Sequence, residues 1–354
     1  MQAYIKGVGL ISPQHTSTFT DFISETITSE NNLLKCIEPL YSEFLNPIMA
    51  RRMGRIVKIG MAAALKSLND ANIKIPDAII TGTALGCLGD TEKFLTALIT
   101  DEELYLTPIP FIQSIQNTVG AQIALHLKCM NHNITHSHKG FSFESAALEA
   151  LMLLNDGEAN DVLIGGLDEM TNNNFLLFNR LNRWKKEFVR NTNLLNAKTE
   201  GTIAGEGAAF FVFSKEEDEN NYAIFKGLRI IYKPENDTVI FGKIQELLDE
   251  NNLSNNEIDL VIYGLNGDKR YDTIHYTLID SLFQNSTSAY FKHLCGEYQT
   301  SSGFATWLAA MILKNQHIPN SIILNNKNHK SITNILIYNN YESENQSAIL
   351  MSKI

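Results

Sequence analysis

Cysteine is rare in this chain and proline nearly so, at 4 and 8 of 354 residues. Cys36, Cys87, Cys129 and Cys295 lie far apart with no CxxC pair. That spacing argues against a zinc site or a disulfide framework and fits a reducing cytosol. Long apolar runs are missing too, and none approaches the roughly 18 residues needed to cross a bilayer. Met1–Ser12 has no basic stretch followed by a long apolar one, so it does not read as a signal peptide. Positive charge is the minority sign: 29 Lys and Arg against 39 Asp and Glu give a formal net charge of −10. Phosphate binding needs a concentrated positive face, so nucleic acid is not expected as a partner. An acidic carrier protein would need a local basic patch to dock. What is present is apolar material, 44% of the residues. A chain of this length can bury about 75% of its unfolded surface, enough for a large core or two fused halves.

Ala3–Ile11 reads as a strand and leads into a polar stretch. Arg55–Asn72 is amphipathic, with Val57, Met61, Ala64, Leu65 and Leu68 on one helical face. Pro76 ends that segment, and Ala78–Thr83 reads as a short buried strand before a Gly-containing turn. The small-residue stretch Phe143–Leu154 predicts a helix closed near Gly157. Asp161–Gly166 and Ala208–Ser214 predict strands. The acidic, Asn-rich segment Lys215–Tyr222 has no core-forming pattern and marks a junction. Beyond it, a helix near Val239–Glu250 precedes a strand at Ile258–Tyr263, repeating the order of helix 55–72 and strand 78–83. A further helix is expected at Ser301–Lys314, with Phe304, Trp307, Leu308 and Met311 on one face. The repeated order predicts an α/β chain of two similar halves, 1–215 and 216–354, with largely buried sheets.

Four segments, in order, carry a resemblance. They are Arg51-Arg52-Met53-Gly54-Arg55 opening a helix, and Pro110-Phe111-Ile112 through Asn117-Thr118-Val119-Gly120. Gly165-Gly166-Leu167-Asp168-Glu169 is the third. The fourth is Thr199-Glu200-Gly201 through Gly205-Glu206-Gly207-Ala208-Ala209. Together they resemble the decarboxylating β-ketoacyl-acyl-carrier-protein synthases, the ketosynthases of fatty-acid and type II polyketide assembly. The resemblance implies the thiolase-like fold, five layers in the order αβαβα from two similar halves. It also implies a dimer formed through the strand before the active-site helix, with Phe111, Ile112, Ile115, Asn117 and Val119 at the interface. No cofactor or metal is implied.

The family's chemistry needs a cysteine thiolate at a helix N-terminus, two histidines or a histidine and an asparagine, and an oxyanion hole of backbone N–H groups. Counting back from Gly165-Gly166 puts Gly140 in the cysteine slot. The first histidine slot holds Gly264 or Asn266, depending on a short gap. In Lys292-His293-Leu294-Cys295-Gly296-Glu297, lysine and glycine match the family while Glu297 replaces the second histidine. The family's terminal Gly-rich loop corresponds to Asn339–Asn345, where its glycines are absent. Ser142, Phe178, Lys292, Cys295 and Tyr341 are pocket candidates. Ser142 as a substitute nucleophile would need a base, and His138 is the nearest in sequence; a helix-capping serine is the plainer reading. His136 and His138 would share a strand face but lack an evident third ligand. Arg180, Arg183, Lys185, Lys186 and Arg190 are either a carrier-docking patch or a solvated basic loop. Phe178 is either a pocket gate or core packing.

The resemblance implies a catalytically degenerate subunit similar to chain length factors. Such a subunit would pair with an active ketosynthase, alongside an acyl carrier protein and its acyl chain, in polyketide, aryl-polyene or fatty-acid-like synthesis. Two other readings stay open: an enzyme with altered acyl chemistry through Ser142, Glu297 or Cys295, and a homodimeric binding protein on the same fold.

Overall fold

The computed structural model describes residues 1–16, 18–29, 31–104 and 106–354. Eleven strands form one sheet: β1 Ala3–Ile11, β2 Ala78–Gly82, β3 His132–His136, β4 Asp161–Asp168, β5 Gly207–Ser214, β6 Ala223–Tyr232, β7 Leu260–Tyr263, β8 Thr287–Tyr290, β9 Ile323–Asn325, β10 Asn334–Tyr341 and β11 Asn345–Ser352. Their order is β3-β2-β4-β5-β1-β6-β11-β10-β7-β8-β9. In the first half β3, β2 and β4 are parallel, while β5 runs antiparallel to both β4 and β1. The second half repeats this with β8, β7 and β10 parallel and β11 antiparallel to β10 and β6. The two sets meet where Ala3–Ile5 pairs with Ala223–Phe225. The segment Lys215–Tyr222 is the connection between them.

Alternation along the strands builds the layers, because successive side chains leave opposite faces. In β5, Phe211 and Phe213 join the central cluster, while Phe210 and Val212 face the helices Arg55–Asp70 and Thr118–Leu127. In β10, Ile335 and Ile337 face the centre, while Leu336 and Tyr338 face the helices Asp237–Glu250 and Thr273–Ser281. The central layer is the helix pair Ser142–Asp156 and Ser302–Asn315, whose Phe143, Ala147, Phe304 and Leu308 are fully buried. Each of these Phe and Leu side chains removed from water contributes about 1.5–3 kcal/mol. Helix, sheet, helix pair, sheet, helix: these are the five layers expected.

The ends of the expected elements move by a few residues, as terminal turns commonly do. The exception is Asn339–Asn345, expected as a loop. Asn339–Tyr341 closes β10 and Asn345 opens β11, with only a tight turn between them. Glu342 and Ser343 hold left-handed φ of 56° and 58° there, and the Ser343 N–H donates to Asn340 Oδ1 at 2.8 Å.

Candidate functional site

β3 runs into the turn Lys139–Phe141, which opens the helix Ser142–Asp156. Gly140 lies buried in that turn, behind Lys139 at φ 48°. A Cβ on Gly140 would stand 3.0 Å from Asn345 Cβ and 3.1 Å from Tyr341 Cβ. The β10–β11 hairpin therefore crowds any side chain placed here from its first atom. Neighbours would have to yield by a few tenths of an ångström for the Cβ alone.

Ser142 is fully buried. Its hydroxyl accepts from the His138 backbone N–H at 2.9 Å and donates to Lys139 O at 2.8 Å. It thus ties the turn behind it instead of capping the helix ahead, as expected of it. The His138 ring turns elsewhere, with Nδ1 3.2 Å from Ser145 Oγ, so Ser142 has no imidazole base. Cys295 is fully buried, and burial pushes its thiol well above the ordinary range, which disfavours the reactive thiolate.

The residues expected at the two histidine slots come together. Lys292 Nζ donates to Glu297 Oε1 at 2.9 Å, to Oε2 at 2.7 Å, and to Asn340 O at 3.1 Å. Asn266 Nδ2 donates to Glu297 Oε2 at 2.7 Å. A side chain on Gly264 would meet Asn339 Oδ1 at 2.5 Å. Asn266, not Gly264, is therefore the residue that faces Glu297. Lys292 is wholly inaccessible and Glu297 nearly so. All three ammonium hydrogens have acceptors, and the carboxylate receives donors on both oxygens. This is a buried ion pair with a hydrogen-bonded amide, in which the ammonium is saturated and the carboxylate accepts three hydrogen bonds.

The loop after β7 is fixed by the glycine-rich motifs. Thr202 Oγ1 donates to Asn266 O at 2.6 Å and the Gly201 N–H to Asp268 Oδ2 at 2.8 Å. Arg55 pairs bidentately with Glu206 at 2.8 and 2.7 Å, joining two motifs 151 residues apart. Above Glu297 lies a narrow cleft bordered by Trp184, Asp268, Arg270 and Tyr341, with free volume of about 20 Å³. That holds about one water molecule and no acyl chain. Arg183 latches its rim, donating to Tyr341 Oη at 3.1 Å and Glu342 Oε2 at 3.0 Å while stacking on Phe178 at 4.3 Å. Phe178 also packs edge-on against Trp184. Arg183 entered the sequence reading only as one of a basic run, because its partner lies 159 residues away. Another of that run, Lys185, is buried and donates to Ala197 O, Thr199 O and Gly267 O. Arg180, Lys186 and Arg190 are the exposed members.

Of the interface candidates, Phe111, Ile112, Ile115 and Asn117 are exposed. Val119 is not. It is 3% exposed and packs in the chain's own core against Gly60. It sits one residue inside the helix Thr118–Leu127, on the face turned to the helix Arg55–Asp70, so Val119 is corrected from interface to core. Glu144, one turn beyond Gly140, was missed. It is fully buried, accepts from Ser347 Oγ at 2.7 Å, and burial raises its pKa. An acid inside a small-residue helix was its only signal. Among the described residues, no group of three or more His, Cys, Asp or Glu could hold a metal ion.

Residues 28–186 match the β-ketoacyl synthase N-terminal domain. No curated protein matches the sequence. Among solved structures, the chain superposes on "The ishigamide ketosynthase/chain length factor" with a TM-score of 0.84 at 16% identity, covering 100% of this chain and 99% of that one. A ketosynthase in complex with its chain length factor from Xenorhabdus doucetiae gives 0.78 at 14%, over 99% and 98%. A type II polyketide acyl-carrier protein complexed with its ketosynthase gives 0.76 at 15%, over 100% and 99%. At such identities the likeness is one of fold.

Proposed function

We propose, for a chain whose residues 28–186 match the β-ketoacyl synthase N-terminal domain, the role of a chain-length-factor-like subunit. It pairs with a cysteine-bearing ketosynthase and performs no condensation of its own. The observation that carries this is the closed nucleophile slot. Gly140 supplies no attacking atom, and even a Cβ there would crowd Tyr341 and Asn345. The Lys292–Glu297–Asn266 cluster supports the same reading. A group that assists decarboxylation must be free to act on the substrate, and here Lys292 and Glu297 are bound chiefly to each other and to Asn266.

The partner surface in this reading is the exposed edge of β3 together with Phe111, Ile112 and Ile115. Such apolar exposure on one segment is typical of surfaces that another chain covers. Residues 1–215 and 216–354 are then the two halves of one duplicated unit. Its setting is polyketide, aryl-polyene or fatty-acid-like synthesis on an acyl carrier protein, in the cytosol. The four cysteines are free and buried, and no helix among the described residues is long and apolar enough to cross a membrane. An enzyme working through Ser142 or Cys295 has less support, since neither atom is accessible.

Co-expression with the cysteine-bearing ketosynthase of its host tests the role. The expected result is stoichiometric copurification, product from the pair only, and no acyl or cerulenin adduct on this chain by intact-mass spectrometry. An adduct on Ser142 or Cys295, or full product from the ketosynthase alone, would overturn it.

A further inference from the structure

A buried lysine, a carboxylate and an asparagine side chain meet at one oxygen atom. Glu297 Oε2 lies 2.7 Å from Lys292 Nζ and 2.7 Å from Asn266 Nδ2. None of the three residues is more than 6% exposed. The stem of Lys292 also runs beside the start of the loop that carries Asn266, since a Cβ on Gly264 would stand 3.3 Å from Lys292 Cε. An amine and a carboxamide held around an acid, away from water, are the reactants of an amide exchange.

The other contacts of Asn266 prepare it for that exchange. Its side-chain Oδ1 accepts from the Asp268 backbone N–H at 2.9 Å, which fixes the orientation of the amide and polarises its carbonyl. Its backbone N–H donates to Asp272 Oδ1 at 3.1 Å, and its backbone O accepts from Thr202 Oγ1 at 2.6 Å. Lys292 is tethered in turn by Asn340 O at 3.1 Å. Reactants fixed in this way avoid the loss of freedom that makes the same reaction slow in solution.

We propose that Lys292 and Asn266 join in an isopeptide bond, Nζ to Cγ, with release of ammonia, and that Glu297 carries the protons. The inference goes beyond the partner role and does not depend on it. The ion pair described above is the arrangement before the bond forms. Keeping two charges out of water is costly, and a proton passed from Nζ to Glu297 removes both at once. The freed lone pair of Nζ attacks Asn266 Cγ and the carbonyl electron pair moves to Oδ1. The Asp268 N–H stabilises the charge that develops there. The Cγ–Nδ2 bond then breaks as the carbonyl re-forms. Nζ gives up two protons in all: one reaches Nδ2 through Glu297 and leaves with the ammonia, and the other stays on the Glu297 carboxyl. Charge balances, nothing is oxidised or reduced, and no co-reactant is needed. The cleft bordered by Asn266 and Glu297, with its free volume of about 20 Å³, has room for the departing ammonia, which is close to water in size. The bond ties the loop after β7 to the turn after β8 and locks the residues expected at the two histidine slots.

Intact-mass spectrometry of the full chain, denatured after purification, tests this. The wild type should be lighter than its sequence by one ammonia. Trypsin should fail to cut after Lys292 and should release the peptides of Asn266 and Lys292 as one joined species. Glu297→Gln keeps the shape and loses the proton carrier, so most of its chains should show the full sequence mass. Asn266→Ala and Lys292→Arg should show it entirely. The wild-type mass is read without any variant, so poor folding of a variant leaves the test decisive. A wild type at its sequence mass overturns the proposal, as does a Glu297→Gln chain cross-linked as fully as the wild type. Ammonia lost without a joined peptide, as a succinimide at an asparagine would give, overturns it too. Each of these results leaves the partner role standing.

Discussion

At the scale of single residues, identity was legible and surroundings were not. Counting from Gly165-Gly166 located Gly140, yet only the fold reveals that Tyr341 and Asn345 close the space around it. Gly140→Cys should therefore cost stability, about 1–3 kcal/mol for an overpacked site, and should restore no acylation. Urea unfolding and intact mass after cerulenin would read both, and an unstrained, acylated variant would refute the closure. Glu297 stood out in the sequence, but its pairing with Lys292 and Asn266 did not, because the three residues come from two separate segments. Glu297→Ala leaves a buried ammonium without its counter-ion and should destabilise by about 3–5 kcal/mol. The double change Lys292→Met/Glu297→Leu should cost less than that single one. If the double change is the worse of the two, the pair is not the closed structural unit described. His293 offers a pH test. It stacks on Tyr290 at 4.0 Å in full burial, and that burial lowers its pKa to about 3 against an opposing backbone hydrogen bond at Ser321. The unfolded chain, with histidine near 6.5, then binds the proton more readily than the folded one. The stability that neutral His293 provides is complete above about pH 6.5 and drains away as pH falls toward 3. His293→Phe should flatten that limb of the urea midpoint against pH, and an unchanged limb would assign the acid loss elsewhere.

Elements were legible where periodicity is strong. The helices Arg55–Asp70 and Ser302–Asn315 bury almost whole faces, and a face that must be apolar leaves its period in the sequence. The β10–β11 hairpin was illegible because its turn is made by Glu342 and Ser343, without the glycine that usually signals left-handed φ. Val119 was misplaced for a related reason. A segment rich in apolar residues does not say which of them turn inward, and the helix start at Thr118 is what rotates Val119 into the core. The two kinds of position should separate cleanly in experiment. Phe111→Ser/Ile112→Ser alters exposed side chains of the short helix Pro108–Gln113, so stability should change by less than about 1 kcal/mol while partner association falls. Val119→Asp buries an unpaired carboxylate and should unfold the monomer. Loss of the partner from a Val119→Asp chain that stays folded would return this residue to the interface.

For the whole molecule, the repeated order of helix and strand foretold a duplication, and the strand arrangement repeats apart from β9, which the second half adds antiparallel to β8. What the order did not reveal is how far the halves depend on each other. The central cluster takes Phe143, Ala147 and Phe211 from before residue 215 and Ile262, Phe304 and Ile337 from after it. β1 and β6 pair across the junction, and Gln14 Nε2 donates to Leu294 O at 2.8 Å across 280 residues. Neither half can bury its inner sheet face alone. Separating them would expose the helix pair Ser142–Asp156 and Ser302–Asn315, whose inward side chains are almost all inaccessible. Large proteins often unfold in stages, domain by domain, but halves that share one core have no free intermediate in which only one is formed. The full chain should accordingly show a single calorimetric transition. The fragment 216–354 expressed alone should stay unfolded or aggregate, and recover structure only when the fragment 1–215 is present. Two resolved transitions, or a stable and soluble C-terminal fragment, would mean that the halves are independent domains in contact and that the shared central layer contributes little to holding them together.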